Sequence, residues 1–287
     1  MSKERNSSVL WAILAALLYA INAPVSKLLL QDVSPTMMAA MLYLGAGVGM
    51  FLLGMIRQRL GMGKAEQKLT RKELPFVVGM IVLDIAAPIC LMVGLTSTTS
   101  ANASLLNNFE IVATSLIALL IFKEVISKRL WLAIGLITLS SVILSLEDAS
   151  SLNFSIGSLF VLLACICWGF ENNCTRMMSQ SDPLEIVVLK GFGSGLGSLV
   201  IALVIGEQFP EIRIILMALL LGFVAYGLSI FFYVYAQRKL GAAKTSAYYA
   251  IAPFIGVILS LLIFQELPSP SFWVALSLMI LGTYFAA

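Results

Sequence analysis

A 287-residue chain that is 60 % hydrophobic and only 11 % charged is built for lipid, because soluble domains carry about a quarter charged residues. It contains no histidine, which excludes His-based acid–base chemistry, His metal ligation and His proton relays, and no cofactor is expected. The net charge of +3 fits membrane orientation, and no nucleic-acid partner is expected.

A helix crosses the hydrocarbon core with about 20 apolar residues. On that measure the chain divides into ten expected spans, at 9–30, 34–56, 74–94, 100–122, 128–146, 155–178, 184–205, 212–236, 243–264 and 270–287. The first run is too long for a cleaved signal peptide, lacks a small-residue cleavage pattern and is expected to be kept as a helix. Turn formers mark joints at Ser34-Pro35, Asp182-Pro183, Gly241 and Pro268-Ser269-Pro270. The longest connection, 57–73, is polar and basic, and residues 152–157 open the second half after the acidic joint Glu147-Asp148. Cys90, Cys165, Cys167 and Cys174 fall inside apolar runs, match no zinc or redox spacing and read as helix-packing residues.

The fourth run closes on Phe122-Lys123-Glu124, and 142 residues later the ninth closes on Phe264-Gln265-Glu266. Trp131 and Trp273 follow at the same offset, opening spans 5 and 10. Tyr19, Asn22 and Lys27 align with Trp168, Glu171 and Arg176 at an offset of 149. The expected fold is therefore an all-α integral membrane protein with ten transmembrane helices in two five-helix repeats, 1–148 and 149–287. An odd number of spans per copy inverts the second relative to the first, the usual architecture of secondary transporters. With a cytoplasmic amino terminus, fifteen lysines and arginines lie in inner segments, against Lys27 and Arg213 outside and Lys190 within a span. That asymmetry predicts both termini in the cytoplasm and the chain as a multi-pass protein of the cell membrane.

The five-plus-five arrangement, the Phe-x-Glu ends of spans 4 and 9 and the Trp131 and Trp273 openings resemble the EamA-type branch of the drug/metabolite transporter superfamily, over essentially the whole chain. The resemblance implies a central cavity lined mostly by the first four helices of each repeat, with spans 5 and 10 peripheral. It also implies export of amino acids or other small metabolites, with import in some members.

A charge at the centre of a membrane helix costs about 2.5–3.5 kcal/mol, so Asp84, Glu110, Glu171 and Lys190 together oppose insertion by roughly 10 kcal/mol if unpaired. Such residues face a bundle interior or a wet cavity. Asn107, Glu110 and Thr114 fall on one helix face at i, i+3, i+7 spacing, either as a cavity wall or as interhelical glue. Ala252 replaces the carboxylate in the other copy, followed by Pro253 where the first has Ile111, which breaks the pseudo-symmetry chemically. Asp84 lies four residues before Pro88, whose missing N–H frees a carbonyl, and Tyr226 takes the matching place in span 8, with Ser229 and Tyr233 on its face. Glu171 and Lys190 sit at equal depth on consecutive antiparallel spans, as a structural ion pair or as a pair that parts to meet a zwitterion. Tyr19, Asn22, Trp168, Tyr248 and Tyr249 are read as cavity-lining aromatic and amide surface, with Pro24 marking a kink in span 1. Gly45 and Gly49 on span 2, and Gly191, Gly193, Gly195 and Gly197 on span 7, offer close-approach faces on which the two spans slide as gates.

These residues point to a secondary transporter that exports small polar or amphipathic metabolites such as amino acids by alternating access. No Gly-x-x-x-x-Gly-Lys-[Ser/Thr] loop is present to bind ATP, and the buried carboxylates leave proton coupling and uniport both open. The expected partners are a small-molecule substrate, the lipid bilayer and protons, with a homodimer left open. The competing readings are an importer of the same fold, a structural membrane subunit, and a membrane-embedded enzyme using Asp84 and Glu110 as a carboxylate pair.

Overall fold

The computed structural model describes residues 2–61, 67–123, 125–148, 153–240, 245 and 248–286. Eight of its helical stretches are long and apolar enough to cross a membrane, and the shorter apolar helices Ala252–Phe264 and Pro270–Ala286 bring the number of candidate spans to ten. Lipid forces this choice, since backbone polar groups in hydrocarbon must be satisfied within the helix itself. The expected joint at Gly241 and the start of span 9 at 243 lie outside the described residues. At the 5–6 joint, Leu146–Asp148 and Asn153–Phe154 pair as a small antiparallel ribbon.

Local chemistry sets the helix starts. Thr99, Ser127, Ser155 and Asp182 each cap the helix that follows, accepting from the backbone N–H of Asn102, Leu130, Ser158 and Leu184. Prolines occupy the first turn of Pro35–Arg59, Leu74–Ser97 and Pro183–Val204, where a missing N–H costs nothing. Two repeat-equivalent residues end spans 4 and 9 in one way. Lys123 and Gln265, the middle residues of the two Phe-x-Glu phrases, both take the left-handed conformation, with φ 54° and 52°.

Among the described residues, four spans are interrupted. Span 1 divides into Ser2–Ala20 and Asn22–Leu29, because Pro24 has no N–H for the Ala20 carbonyl. Span 9 turns at Ala250 and Ile251 before Ala252–Phe264, where Pro253 likewise has no N–H for the Tyr249 carbonyl. Span 4 breaks with no proline, between Ser100–Leu106 and Phe109–Leu120. Its Asn107 and Asn108 sit in a turn where Asn108, Glu110 and Ile111 donate to carbonyls three residues back. Span 8 runs Ile212–Gly222, then a π-helical turn Phe223–Leu228 that carries Tyr226, then Ser229–Leu240. Span 3, Leu74–Ser97, passes through Pro88 unbroken.

Span 2 packs on span 7, span 3 on span 6, span 1 on span 8, span 4 on span 9 and span 5 on span 10. Span 5, Lys128–Ser145, is tied to span 10 by the Ser140 hydroxyl, which donates to the Ala275 carbonyl at 2.6 Å. Spans 2 and 7 meet backbone to backbone: a Cβ on Gly191 would stand 2.3 Å from the Gly47 nitrogen. The glycines named from sequence act as small-xxx-small pairs, each pair against its own neighbour. Gly45 and Gly49 face span 8 at Leu219 and Phe223, Gly193 and Gly197 face span 3 at Ile81 and Ile85, and Gly195 with Gly191 faces span 2. Residues four apart share a helix face and residues two apart do not, so each pair keeps its own seam.

Candidate functional site

A cavity of about 260 Å³ opens at one end of the bundle between spans 4, 6, 8 and 9. Its rim is made by Val125, Ile126 and Leu130 and by Thr283 and Ala286 at the end of span 10. A chamber of about 70 Å³ adjoins it, sharing Tyr19, Glu110, Asn172, Thr175, Tyr233 and Tyr249, and is completed by Tyr43, Trp168, Glu171, Lys190 and Tyr226. At the opposite end of the bundle lies a hollow of about 250 Å³, lined by groups including Thr98, Asn102, Ser260, Glu266 and Ser269, which has no residue in common with the cavity. Between the two, the Ser100 and Ser260 hydroxyls meet at 2.9 Å, and a Cβ on Gly256 would strike the Ser104 hydroxyl at 2.9 Å. Lys27 donates to the carbonyls of Leu95 and Thr98, capping the C-terminal end of span 3 where a cation is favoured.

The break in span 4 places amide side chains at the cavity wall. Glu110, in the first turn of Phe109–Leu120, accepts from the Asn172 amide at 2.6 Å, and that amide also reaches the Thr114 hydroxyl at 3.3 Å. Asn173 donates to the carbonyls of Gly169 and Thr114 at 2.8 and 3.2 Å, fastening span 6 to span 4. Asn108 lines the cavity and is buried, and among the described residues neither its amide oxygen nor its amide nitrogen has a partner; the same holds for the Gln237 oxygen. A buried amide without partners loses the stabilisation of two or three hydrogen bonds, so these atoms are the natural contacts for a polar guest. Tyrosines close the inner wall: Tyr249 lies 5.8 Å from Tyr19 and 5.0 Å from Tyr233, and Tyr226 lies 5.9 Å from Tyr19 and 5.0 Å from Tyr43, between ring centroids. Arg176 stands at the cavity edge, its guanidinium 5.6 Å from the Phe122 ring centre.

The interior charges are joined in a way the sequence did not reveal. Lys190 bridges two carboxylates, Glu171 at 2.8 Å and Asp84 at 3.0 Å, and all three are buried. Tyr43 donates to the other Asp84 oxygen at 2.8 Å, and the Thr175 hydroxyl donates to Glu171. The expected Glu171–Lys190 pair is therefore a three-membered cluster spanning helices 3, 6 and 7.

Among the residues named from sequence, Tyr19, Asn107, Glu110 and Tyr249 line the main cavity, and Trp168, Glu171, Lys190 and Tyr226 line the chamber. Asp84 lines neither and is held by Lys190 and Tyr43, while Glu110 is held by Asn172. Asn22 is also behind the wall, donating to the Tyr226 hydroxyl at 3.0 Å and accepting from Ser26 at 3.1 Å. Tyr248 lines neither hollow and is 39 % exposed, one residue round the helix from Tyr249. Tyr43, Asn172, Asn173 and Gln237 were missed. The run Glu171-Asn172-Asn173 inside an apolar helix was the visible signal for two of them.

The fold is shared with a crystal structure of a protein that superposes with a TM-score of 0.70 at 17 % identity, covering 98 % of this chain and 96 % of that one. An uncharacterized transporter of Methanothermobacter thermautotrophicus is 26 % identical over 274 residues, covering 88 % of this chain and 78 % of that protein. The pattern of the EamA-like transporter family matches twice, over residues 6–146 and 155–287. Ten apolar spans around a polar cavity, matched by that family along nearly the whole sequence, make this a multi-pass membrane transporter: the chain belongs to the EamA-like transporter family.

Proposed function

We propose that the protein is a secondary transporter that exports small metabolites such as amino acids by alternating access, with a substrate held by Glu110, Asn107, Asn108, Asn172 and the Tyr19/Tyr249 wall. The observation that carries this reading is the pair of hollows at opposite ends of the bundle, unshared in lining and separated by the Ser100–Ser260 contact. A solute in the cavity has a way out at one end only, which is what alternating access requires. The same reading makes 1–148 and 149–287 inverted repeats. Support comes from the equivalent left-handed residues Lys123 and Gln265 and from the pairing of span 3 with 6 and of span 8 with 1, which exchange under a five-span shift. The distribution of basic residues favours a cytoplasmic cavity mouth and cytoplasmic termini in the cell membrane. Transport, with the solute released unchanged, fits this geometry better than catalysis.

Two measurements test the reading. Single cysteines placed in the 57–73 connection and near both termini are expected to be labelled only from the cytoplasmic side, and one placed at 147–148 only from outside. Termini labelled from opposite faces would remove an odd span and the inversion with it. In proteoliposomes screened with radiolabelled amino acids, the wild type is expected to move at least one unmodified, and Glu110→Gln to lower its flux by about 10-fold or more, equivalent to losing one charge-assisted contact of about 1.5–3 kcal/mol. Normal flux in that variant would return Glu110 to a helix-packing role.

A further inference from the structure

On the outer surface of the bundle, spans 2 and 8 leave a groove of about 340 Å³, and every residue that lines it is apolar or glycine. Glycine makes the groove. Gly45 and Gly49 bring span 2 so close to span 8 that a Cβ would stand 2.0 Å from the Leu219 carbonyl oxygen and 2.1 Å from the Phe223 ring. The floor is therefore main chain, and the walls are the larger side chains beside it. Val48, Leu52 and Ile56 on span 2 and Leu220 on span 8 are 44 % to 63 % exposed, and in a membrane they face acyl chains. Contacts of residue 45 with 219, 49 with 223 and 57 with 231 keep one order, so the two spans run parallel along the groove. From Gly45 to Ile56 the helix rises about 16 Å, close to the depth of hydrocarbon in one leaflet, about 15 Å.

Both rows of span 2 that line the groove end in an arginine. Gly45, Gly49 and Leu53 lead at i, i+4 spacing to Arg57, and Val48, Leu52 and Ile56 lead to Arg59, the last residue of the helix. The Arg57 guanidinium lies 5.6 Å from the ring centre of Phe231 on span 8, at the end of the same seam. Stacking on a ring fixes the guanidinium plane and leaves its N–H edge open. Among the described residues neither arginine has a carboxylate within ion-pair distance. Trp11 stacks on the neighbouring Phe232 at 5.0 Å and lies 6.4 Å from Tyr235, and such aromatic residues gather at headgroup level. An apolar trough of leaflet depth that ends in two unpaired arginines suits a molecule with a long apolar chain and an anionic head. We propose that the groove between spans 2 and 8 is a binding site for an anionic phospholipid, with one acyl chain in the groove and the phosphate on Arg57 and Arg59. The fork of guanidinium donors meets two phosphate oxygens at once. A zwitterionic lipid carries its own cation beside the phosphate and is held less firmly. In the orientation proposed above, the arginines lie at the cytoplasmic leaflet, whose anionic lipids attract basic segments. The groove shares no residue with the cavity, and lipid binding there does not depend on what the protein transports.

Native mass spectrometry of the full-length protein in detergent, incubated with phosphatidylglycerol or with phosphatidylcholine of identical chains, tests this. The wild type is expected to retain one phosphatidylglycerol, preferred over phosphatidylcholine by about 10-fold or more. Arg57→Gln with Arg59→Gln is expected to abolish that preference. Lys128→Gln with Arg129→Gln removes the same charge from span 5 and is expected to leave the preference intact. Leu52→Trp and Ile56→Trp fill the trough from exposed positions, and each is expected to lower phosphatidylglycerol binding by about 10-fold, in line with a lost chain contact. Equal retention of the two lipids by the wild type overturns the site. So does a preference that survives loss of Arg57 and Arg59, one that falls as far on loss of Lys128 and Arg129, or unchanged binding in both tryptophan variants. A lipid-free dimer that Leu52→Trp dissociates would give the groove to a second copy of the chain and overturn it as well.

Discussion

Lys190→Met is expected to be the most damaging single charge change in the protein, costing at least the roughly 3–5 kcal/mol seen when one partner of a buried ion pair is removed. It strands two carboxylates, Glu171 and Asp84, whereas Glu171→Gln or Asp84→Asn leaves Lys190 with one partner each. Thermal or denaturant unfolding in detergent should therefore place Lys190→Met far below both acid variants. The sequence alone suggests that Glu171→Gln with Lys190→Met makes a neutral and stable pair. The structure corrects this, since that double variant leaves Asp84 buried beside Tyr43 with no counter-charge. Only the triple change Asp84→Asn, Glu171→Gln, Lys190→Met is expected to recover the loss. Equal losses in all three single variants would show that the cluster is not the charge unit described above.

The second large effect is expected at Gly191→Ala. The added methyl carbon would lie 2.3 Å from the Gly47 nitrogen and 2.4 Å from its Cα, and backbone has no rotamer with which to yield. Overpacking of this kind costs about 1–3 kcal/mol and more where the neighbour is fixed, so a loss of about 3 kcal/mol or complete failure to fold is the expected result. Gly135→Ala on span 5 supplies the control, because a Cβ there meets nothing within 4 Å. That change should be neutral, or stabilising by up to about 1 kcal/mol from helix propensity. Equal melting temperatures for the two variants would mean that spans 2 and 7 are not in backbone contact.

Much of this arrangement was legible in the residues. Ten apolar runs, the proline and serine starts and the two Phe-x-Glu endings are local signals, and lipid leaves a run of that length no alternative to a helix. The break in span 1 followed from Pro24. The break in span 4 did not, because no proline announces it and an Asn107-Asn108 turn reads as ordinary helix in an apolar context. Reading Asn107, Glu110 and Thr114 as one regular face passes over that turn, although all three do line the cavity. Asp84 lies 87 residues before Glu171, and nothing local in the sequence joins the two. Only the packing of span 3 on span 6 brings them to one ammonium, and hydropathy says nothing about which spans are neighbours. Tyr248 and Tyr249 look alike in sequence, and a helix turns them about 100° apart, one into the cavity and one out of it.

The main-chain seam between Gly47 and Gly191 behaves as a bearing. Rotation about it carries backbone over backbone at the point of closest approach. Resistance to such a rotation has to come from the periphery, and at the closed end it comes from polar fastenings: the Ser100–Ser260 hydroxyls and the grip of Lys27 on the end of span 3. Interhelical hydrogen bonds in membranes contribute about 0.6 kcal/mol apiece on average. Fastenings that weak hold a door shut at rest and release it on thermal time, which leaves the direction of opening to whatever occupies the cavity.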